Sequence, residues 1–235
     1  MKLYLLFFLC SVSVLAQKKY AFDYKITYDY KLKDTSELKE IVYYTNSKDN
    51  SYVLKIADKD SVYCEFTFLD NNGIYFKTLF DKKQLETTED FLVDCEIVKS
   101  YSNPYKYQTD NYDYEKGQYL SEGKTLTYYF LKSNRPSREK RKKLSTFYYY
   151  VENNTDFHLP ILTCATPYEE WKLERNIPNG IAKEMFYLDY KKIEKKDIYV
   201  LRNISKIDKV FIVPKECDYT DPNTPKKMYF VIQTL

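Results

Sequence analysis

Residues 20–31 alternate without a break: Tyr20, Phe22, Tyr24, Ile26, Tyr28 and Tyr30 are separated by Ala21, Asp23, Lys25, Thr27, Asp29 and Lys31. A period of two puts every large apolar group on one side of an extended strand and every small or charged group on the other, whereas a helix would scatter them around its circumference. The chain is therefore expected to open its folded part with a sheet strand whose buried face is mostly aromatic.

Strand signals recur at hairpin spacing. Residues 41–45 and 52–56 flank the turn formers 46–50, and 62–69 and 74–80 flank Asp70-Asn71-Asn72-Gly73, where Asn and Gly tolerate positive φ. Residues 91–99, 125–131, 147–151, 198–207, 210–213 and 228–234 read as further strands, and 181–190 fits either helix or strand. Short turns between successive strands predict an antiparallel meander. Thr166-Pro167-Tyr168-Glu169 has the form of a capping box and predicts a short helix to about Arg175, covering one mouth of a curved sheet. Residues 101–124, with six tyrosines and no sustained period, read as a long loop. The fold class expected is mainly β: one antiparallel meander sheet curved into an open half-barrel, with one or two short helices.

Ahead of the first strand, Lys2 precedes a mostly apolar run over residues 3–15, and Val14-Leu15-Ala16 satisfies the small-residue rule for signal peptidase. Thirteen residues fall short of the roughly 20 that span a bilayer. Residues 1–16 are thus expected to be a signal peptide cut before Gln17, leaving 17–235 as a single periplasmic or secreted β domain and not an integral membrane protein. Lysines and arginines number 37 against 34 acids, so losing Lys2 leaves a net charge near +2, which argues against a dedicated nucleic-acid binder. Four cysteines remain after processing: Cys64, Cys95, Cys164 and Cys217. Cys64 and Cys95 share the apolar faces of sequence-near strands, which favours pairing Cys64 with Cys95 and Cys164 with Cys217; buried free thiols are the alternative.

Catalytic sets are sparse. His158 is the one histidine, has no nucleophile-elbow glycines beside it, and reads as an exposed residue in a turn. The four glycines lie too far apart to cradle a phosphate, and no Cys/His spacing suits a metal, so no cofactor and no metal is expected. A hydrolase with paired carboxylates stays open as a third reading.

A curved sheet with large inward aromatics either fills its own core or admits an apolar molecule. The groups that would line such a site are Phe22, Tyr24, Ile26, Tyr28, Phe66, Phe68, Phe91 and Val93, and filling the core is the rival reading for each. Residues 135–143 hold six cations (Arg135, Arg138, Lys140, Arg141, Lys142 and Lys143) against Glu139. They form either a solvated loop or a docking patch for anionic lipid head groups or an acidic envelope partner.

A signal ending Leu15-Ala16-Gln17, a strand from Tyr20, and the run Tyr148-Tyr149-Tyr150-Val151-Glu152-Asn153-Asn154-Thr155-Asp156-Phe157-His158-Leu159-Pro160 together resemble the LolA-like superfamily, the lipoprotein-carrier-like exported proteins that include an uncharacterised branch in Bacteroidetes. The run looks like that group's strand, turn and Leu-Pro re-entry, with Asp156-Phe157-His158 where a short glycine turn is usual. The resemblance implies an open half-barrel enclosing a helix and holding acyl chains. Two function classes follow. One is an exported, non-catalytic carrier of a lipid or other apolar small molecule; the other is a protein–protein interaction module using the tyrosine-rich and basic loops.

Overall fold

A computed structural model describes residues 17–103, 106, 112–121, 124–174 and 176–225; the signal segment and the strand expected at 228–234 lie outside these. The fold is mainly β. Its strands are β1 (Lys18–Lys33), β2 (Lys39–Thr45), β3 (Tyr52–Asp58), β4 (Tyr63–Asp70), β5 (Ile74–Asp81), β6 (Asp90–Leu92), β7 (Lys99–Ser100), β8 (Tyr112–Ser121), β9 (Lys124–Ser133), β10 (Thr146–Val151), β11 (Ala182–Leu188) and β12 (Lys195–Val213). Three short helices punctuate them: α1 (Lys82–Thr87), α2 (Pro136–Lys142) and α3 (Ala165–Glu174). The strands form one sheet in the order β7-β5-β4-β3-β2-β1-β12-β11-β10-β9-β8, not closed into a barrel. Pairing is antiparallel except that β6 runs parallel to the end of β12.

The spine is the β1–β12 ribbon, registered from Lys18 opposite Val213 to Lys33 opposite Lys196. Two register shifts fall along it, between Phe22 and Tyr24 and between Thr27 and Tyr28, each with the extra residue on β12. Such irregularities add twist and re-aim side chains. The aromatic face of β1 accordingly serves two cores. Tyr20 and Phe22 enter the first with Leu54, Phe66, Phe68, Phe76, Phe91 and Phe211; Ile26 and Tyr28 enter the second with Tyr43, Tyr149, Trp171 and Met185. β2 is buried on both faces, Val42 and Tyr44 toward the first core and Ile41 and Tyr43 toward the second. Its unbroken apolar run Ile41-Val42-Tyr43-Tyr44 is what a doubly covered strand requires.

About half of the buried residues of the first core are aromatic, with ring centroids 4.7 Å apart for Tyr20–Phe68, 4.9 Å for Phe68–Phe76 and 4.9 Å for Phe91–Phe211. Each such buried ring contributes roughly 1.5–3 kcal/mol. The β4–β5 hairpin forms at Asp70–Gly73 as its composition dictates. Gly73 has φ +151°, and a Cβ there would lie 2.7 Å from the Tyr219 carbonyl oxygen. The buried Asp70 carboxylate accepts from the Tyr20 hydroxyl at 2.7 Å and the Asn72 amide at 2.7 Å, with Lys18 at 3.4 Å, pinning the start of β1 to this turn.

Several expectations are corrected. Residues 112–121 of the supposed loop 101–124 form strand β8, paired to β9 over its whole length. Residues 91–99 are not one strand: β6 ends at Leu92, and only Lys99 and Ser100 pair again. The basic segment is helical, because Pro136 suits a first turn and Lys143 closes the last in the left-handed conformation. α3 starts at Ala165, and Glu169 closes no capping box; its carboxylate accepts from Asn103 at 2.7 Å. Residues 181–190 resolve as strand β11, and the two segments 198–207 and 210–213 are one continuous β12.

The favoured disulfide pairing is also corrected: Cys95 bonds Cys217, while Cys64 and Cys164 are free. Parallel pairing of β6 with β12 carries both chains out of the sheet together, and a 3-10 turn over Lys215–Cys217 brings the second thiol back to the first. Cys64 on β4 faces the Phe80 carbonyl on β5, and Cys164 accepts from the Tyr187 hydroxyl at 2.9 Å beside the second core. The bridge closes a 122-residue separation, so Cys217→Ser should cost about 2–4 kcal/mol in urea unfolding. Alkylation of the unfolded, unreduced processed chain should label Cys64 and Cys164 alone; a Cys64–Cys95 peptide in the digest would contradict this arrangement.

Candidate functional site

The residues that could have lined an apolar site are divided. Phe22, Phe66, Phe68, Phe91 and Val93 come together in the first core, none more than 6% exposed. Ile26 and Tyr28 lie in the second core, and the Tyr28 hydroxyl donates to the Ala182 carbonyl at 3.1 Å. Tyr24 packs half-buried against the second core, its ring 5.2 Å from Phe157 and 5.6 Å from His158.

The segment beside it, residues 152–160, is held by a set of hydrogen bonds. The Thr155 hydroxyl donates to the Glu152 carbonyl at 2.7 Å and accepts from the Ile181 amide at 2.9 Å. Leu159 N–H donates to Ser47, the Asn50 amide donates to Pro160, and Ser47 in turn donates to Asp23 on β1. His158 is buried here, not exposed as its turn-like context suggested. Its Nδ1 faces the Leu159 carbonyl, which can only accept, so the neutral ring keeps its proton on Nδ1 and its Nε2 accepts from the Thr45 hydroxyl at 2.9 Å. Burial lowers its pKa below the ordinary 6.5, opposed by the Leu159 carbonyl and by Asp23. The crevice beside it, bordered by Thr45, Asn50, Ile161 and Leu162, is about 10 Å³ and has room for little more than one water. The motif quoted for the family resemblance thus works here as a structural clasp.

The surface presents two features. On the outer face of the second half, opposite Tyr149 and Met185, cross-strand register stacks Phe130, Tyr148 and Phe186 at 5.5 and 5.0 Å, with Tyr128 and Tyr150 alongside at 5.3 Å. Tyr128, Phe130, Tyr148 and Tyr150 are half-buried. Gly117 lies directly under the Tyr128 ring, where a Cβ would be 2.4 Å from ring atoms. Ion pairs Lys132–Glu115 at 2.6 Å and Lys195–Glu184 at 3.0 Å edge the patch, and the Lys195 ammonium sits 4.1 Å over Phe186. Sequence reasoning missed this ladder; the signal was Tyr148-Tyr149-Tyr150, whose outer members need a covered or functional outer face.

The second feature is α2. Arg135, Lys140, Arg141, Lys142 and Lys143 are exposed, while Arg138 lies 5.8 Å over the Tyr112 ring and Glu139 pairs with Lys192 at 3.4 Å. Among the described residues no helix is long and apolar enough to cross a membrane, and no cluster of three or more potential metal ligands forms.

No family model and no curated protein matches the sequence. Among solved structures, a chain of the Pseudomonas aeruginosa MucA/MucB complex matches with a TM-score of 0.38 and 7% identity, over 78% of this chain and 51% of that one. A crystal structure of MucB matches with a TM-score of 0.37 and 8% identity, over 78% and 53%. The chain spans about half the length of these structures. Values of this size assign neither a family nor a function.

The buried histidine makes a testable pH dependence. With the folded pKa below 6.5, the unfolded chain binds the extra proton first, so His158 adds stability above that pH. The contribution is lost as pH falls from 6.5 through the folded value. His158→Gln should flatten urea-midpoint profiles between pH 7.5 and about 5.5; an unchanged slope would show that another group carries it.

Proposed function

We propose that this chain is an exported, non-catalytic binding module that engages a protein partner through the outer aromatic face of β9–β11. The observation that carries this reading is the Phe130–Tyr148–Phe186 ladder with Tyr128 and Tyr150 beside it. Four of these five rings remain half-buried on a regular sheet face. Cross-strand stacking fixes them in advance, so a partner that covers them costs little side-chain entropy, and such rings serve well as interface anchors. The Lys132–Glu115 and Lys195–Glu184 pairs supply the polar rim that protein interfaces have. Export is supported by the signal-like N-terminus and by a disulfide, which persists in oxidising compartments.

The second reading is the carrier that the LolA-like resemblance implies, with an acyl chain among Phe22, Tyr24, Ile26, Tyr28, Phe66, Phe68, Phe91 and Val93. It would gain about 0.8 kcal/mol per buried methylene. It also requires rings now 4.7–5.5 Å apart, such as Tyr20–Phe68 and Phe22–Phe211, to separate.

Two measurements distinguish them. A photo-crosslinking phenylalanine analogue at Tyr128 or Tyr150, in an exporting host, should give a discrete protein adduct; the same group at exposed Leu79 on the other half should not. Native mass spectrometry of the processed chain, followed by organic extraction, should return the bare mass. Stoichiometric lipid, with no adduct from the aromatic face, would overturn the interaction reading in favour of the carrier.

A further inference from the structure

Ile193 is 79% exposed, the largest exposure among the big apolar side chains of the described residues. It is held out on purpose-built backbone. Asp189 accepts from the amides of Ile193 at 2.7 Å and Glu194 at 3.0 Å, and Lys192 takes φ 59°, so the turn between β11 and β12 projects this side chain outward. Lysines stand on both sides of it: Lys191 and Lys192 before, Lys195 and Lys196 after.

Three segments meet at this end of the molecule. Lys192 reaches Glu139 on α2 and the Thr146 hydroxyl at the start of β10, joining the turn to the basic helix. Glu194 pairs with Lys33 at 2.9 Å, joining it to the β1–β2 turn, and an open cleft between the two turns is walled by Lys33, Lys191 and Ile193 together with the carboxylates Asp34, Asp189 and Glu194. Leu32 and Leu38, 53% and 56% exposed, flank that β1–β2 turn.

The charge is concentrated there. Residues 135–143 carry six cations and one acid, 189–196 four cations and two acids, and 33–38 one cation and two acids, which gives a net +6 for the three segments. The whole chain is only +3, so the remainder carries −3 and the molecule is electrically polar. Among the described residues, Arg135, Lys140, Arg141, Lys142, Lys143 and Lys191 enter no ion pair.

We propose that this end is a docking surface for the anionic head-group face of a lipid bilayer, with the α2 cations on the head groups and Ile193 entering the interface between its lysines. An acidic protein surface would satisfy the cations but gives no reason for a protruding isoleucine flanked by long, snorkelling side chains. A bilayer interface, apolar just below its anionic layer, meets both. The two surfaces meet at Lys195, which lies over Phe186, so the variants that test this one are confined to Ile193 and the α2 cations, none of which borders the ladder rings.

The test is vesicle flotation of the processed chain at low and high salt. Vesicles of phosphatidylglycerol and phosphatidylcholine should carry the protein, pure phosphatidylcholine should not, and 0.5 M salt should release it. Ile193→Asp and the triple change Lys140→Glu, Arg141→Glu, Lys142→Glu should each lower partitioning at least about tenfold, about 1.4 kcal/mol. Their circular dichroism and unfolding midpoints should match the parent, since all four side chains are exposed. No flotation, flotation equal on neutral vesicles, or an Ile193→Asp variant that binds like the parent would overturn the proposal. Binding to soluble polyglutamate without flotation would replace it with an acidic protein partner.

Discussion

Everything in this molecule hangs on the pairing of β1 with β12. The two strands lie about 195 residues apart at their first registered pair, yet they run side by side for nearly the whole length of β1. One half of the ribbon roofs the first core and the other half the second, so neither core is complete until the ends of the folded chain have met. A contact of that sequence separation is costly in loop-closure entropy before it returns any packing energy. The Cys95–Cys217 bridge sits beside this closure and restricts the same entropy in the unfolded chain.

The halves differ in how they use aromatics. The first core is the richer in phenylalanine, whereas the second has Phe147 as its one buried phenylalanine and uses two tyrosine hydroxyls to hold backbone. Tyr28 donates to Ala182 and Tyr149 to Gly180, and Tyr149 also accepts from the Ile161 amide. Burial raises the pKa of both tyrosines, so the phenols stay neutral and keep these bonds. The second core is thereby tied to the irregular segment 152–181, which a purely apolar core could not hold in one conformation. The outer rings of β9–β11 inherit fixed positions from that rigidity, which is what makes them usable as a preformed contact surface.

Local pattern made much of the fold legible. The alternation in β1, the 70–73 hairpin and the sheet class follow from period and turn chemistry, which act over a few residues. What the sequence concealed is long-range. The alternation of Tyr20 to Tyr30 is correct, but nothing local says that one face is divided between two cores by irregularities located on β12. The cysteine pairing failed for the same reason: sequence-near strands suggested Cys64 with Cys95, while a parallel pairing of β6 with β12 decided the outcome. His158 looked exposed because its neighbours form a turn, and its burial comes from β2 packing over it through Thr45. Of the surface features, the basic segment was visible as composition; the aromatic ladder needed the register of three strands, and the Ile193 tip needed its turn.

The central claim is that the β1–β12 ribbon makes two cores depend on each other. Trp171, the single tryptophan, is buried in the second core with its Nε1 donating to the Ile177 carbonyl, and it therefore reports on that core alone. Phe68 lies wholly within the first. The decisive measurement is the urea midpoint of Trp171 fluorescence in the parent and in Phe68→Leu, a change worth roughly 1–2 kcal/mol. Coupled cores predict that the Trp171 midpoint falls together with the circular-dichroism midpoint in one transition. A Trp171 midpoint that stays at the parent value while the circular-dichroism curve splits in two would contradict the account.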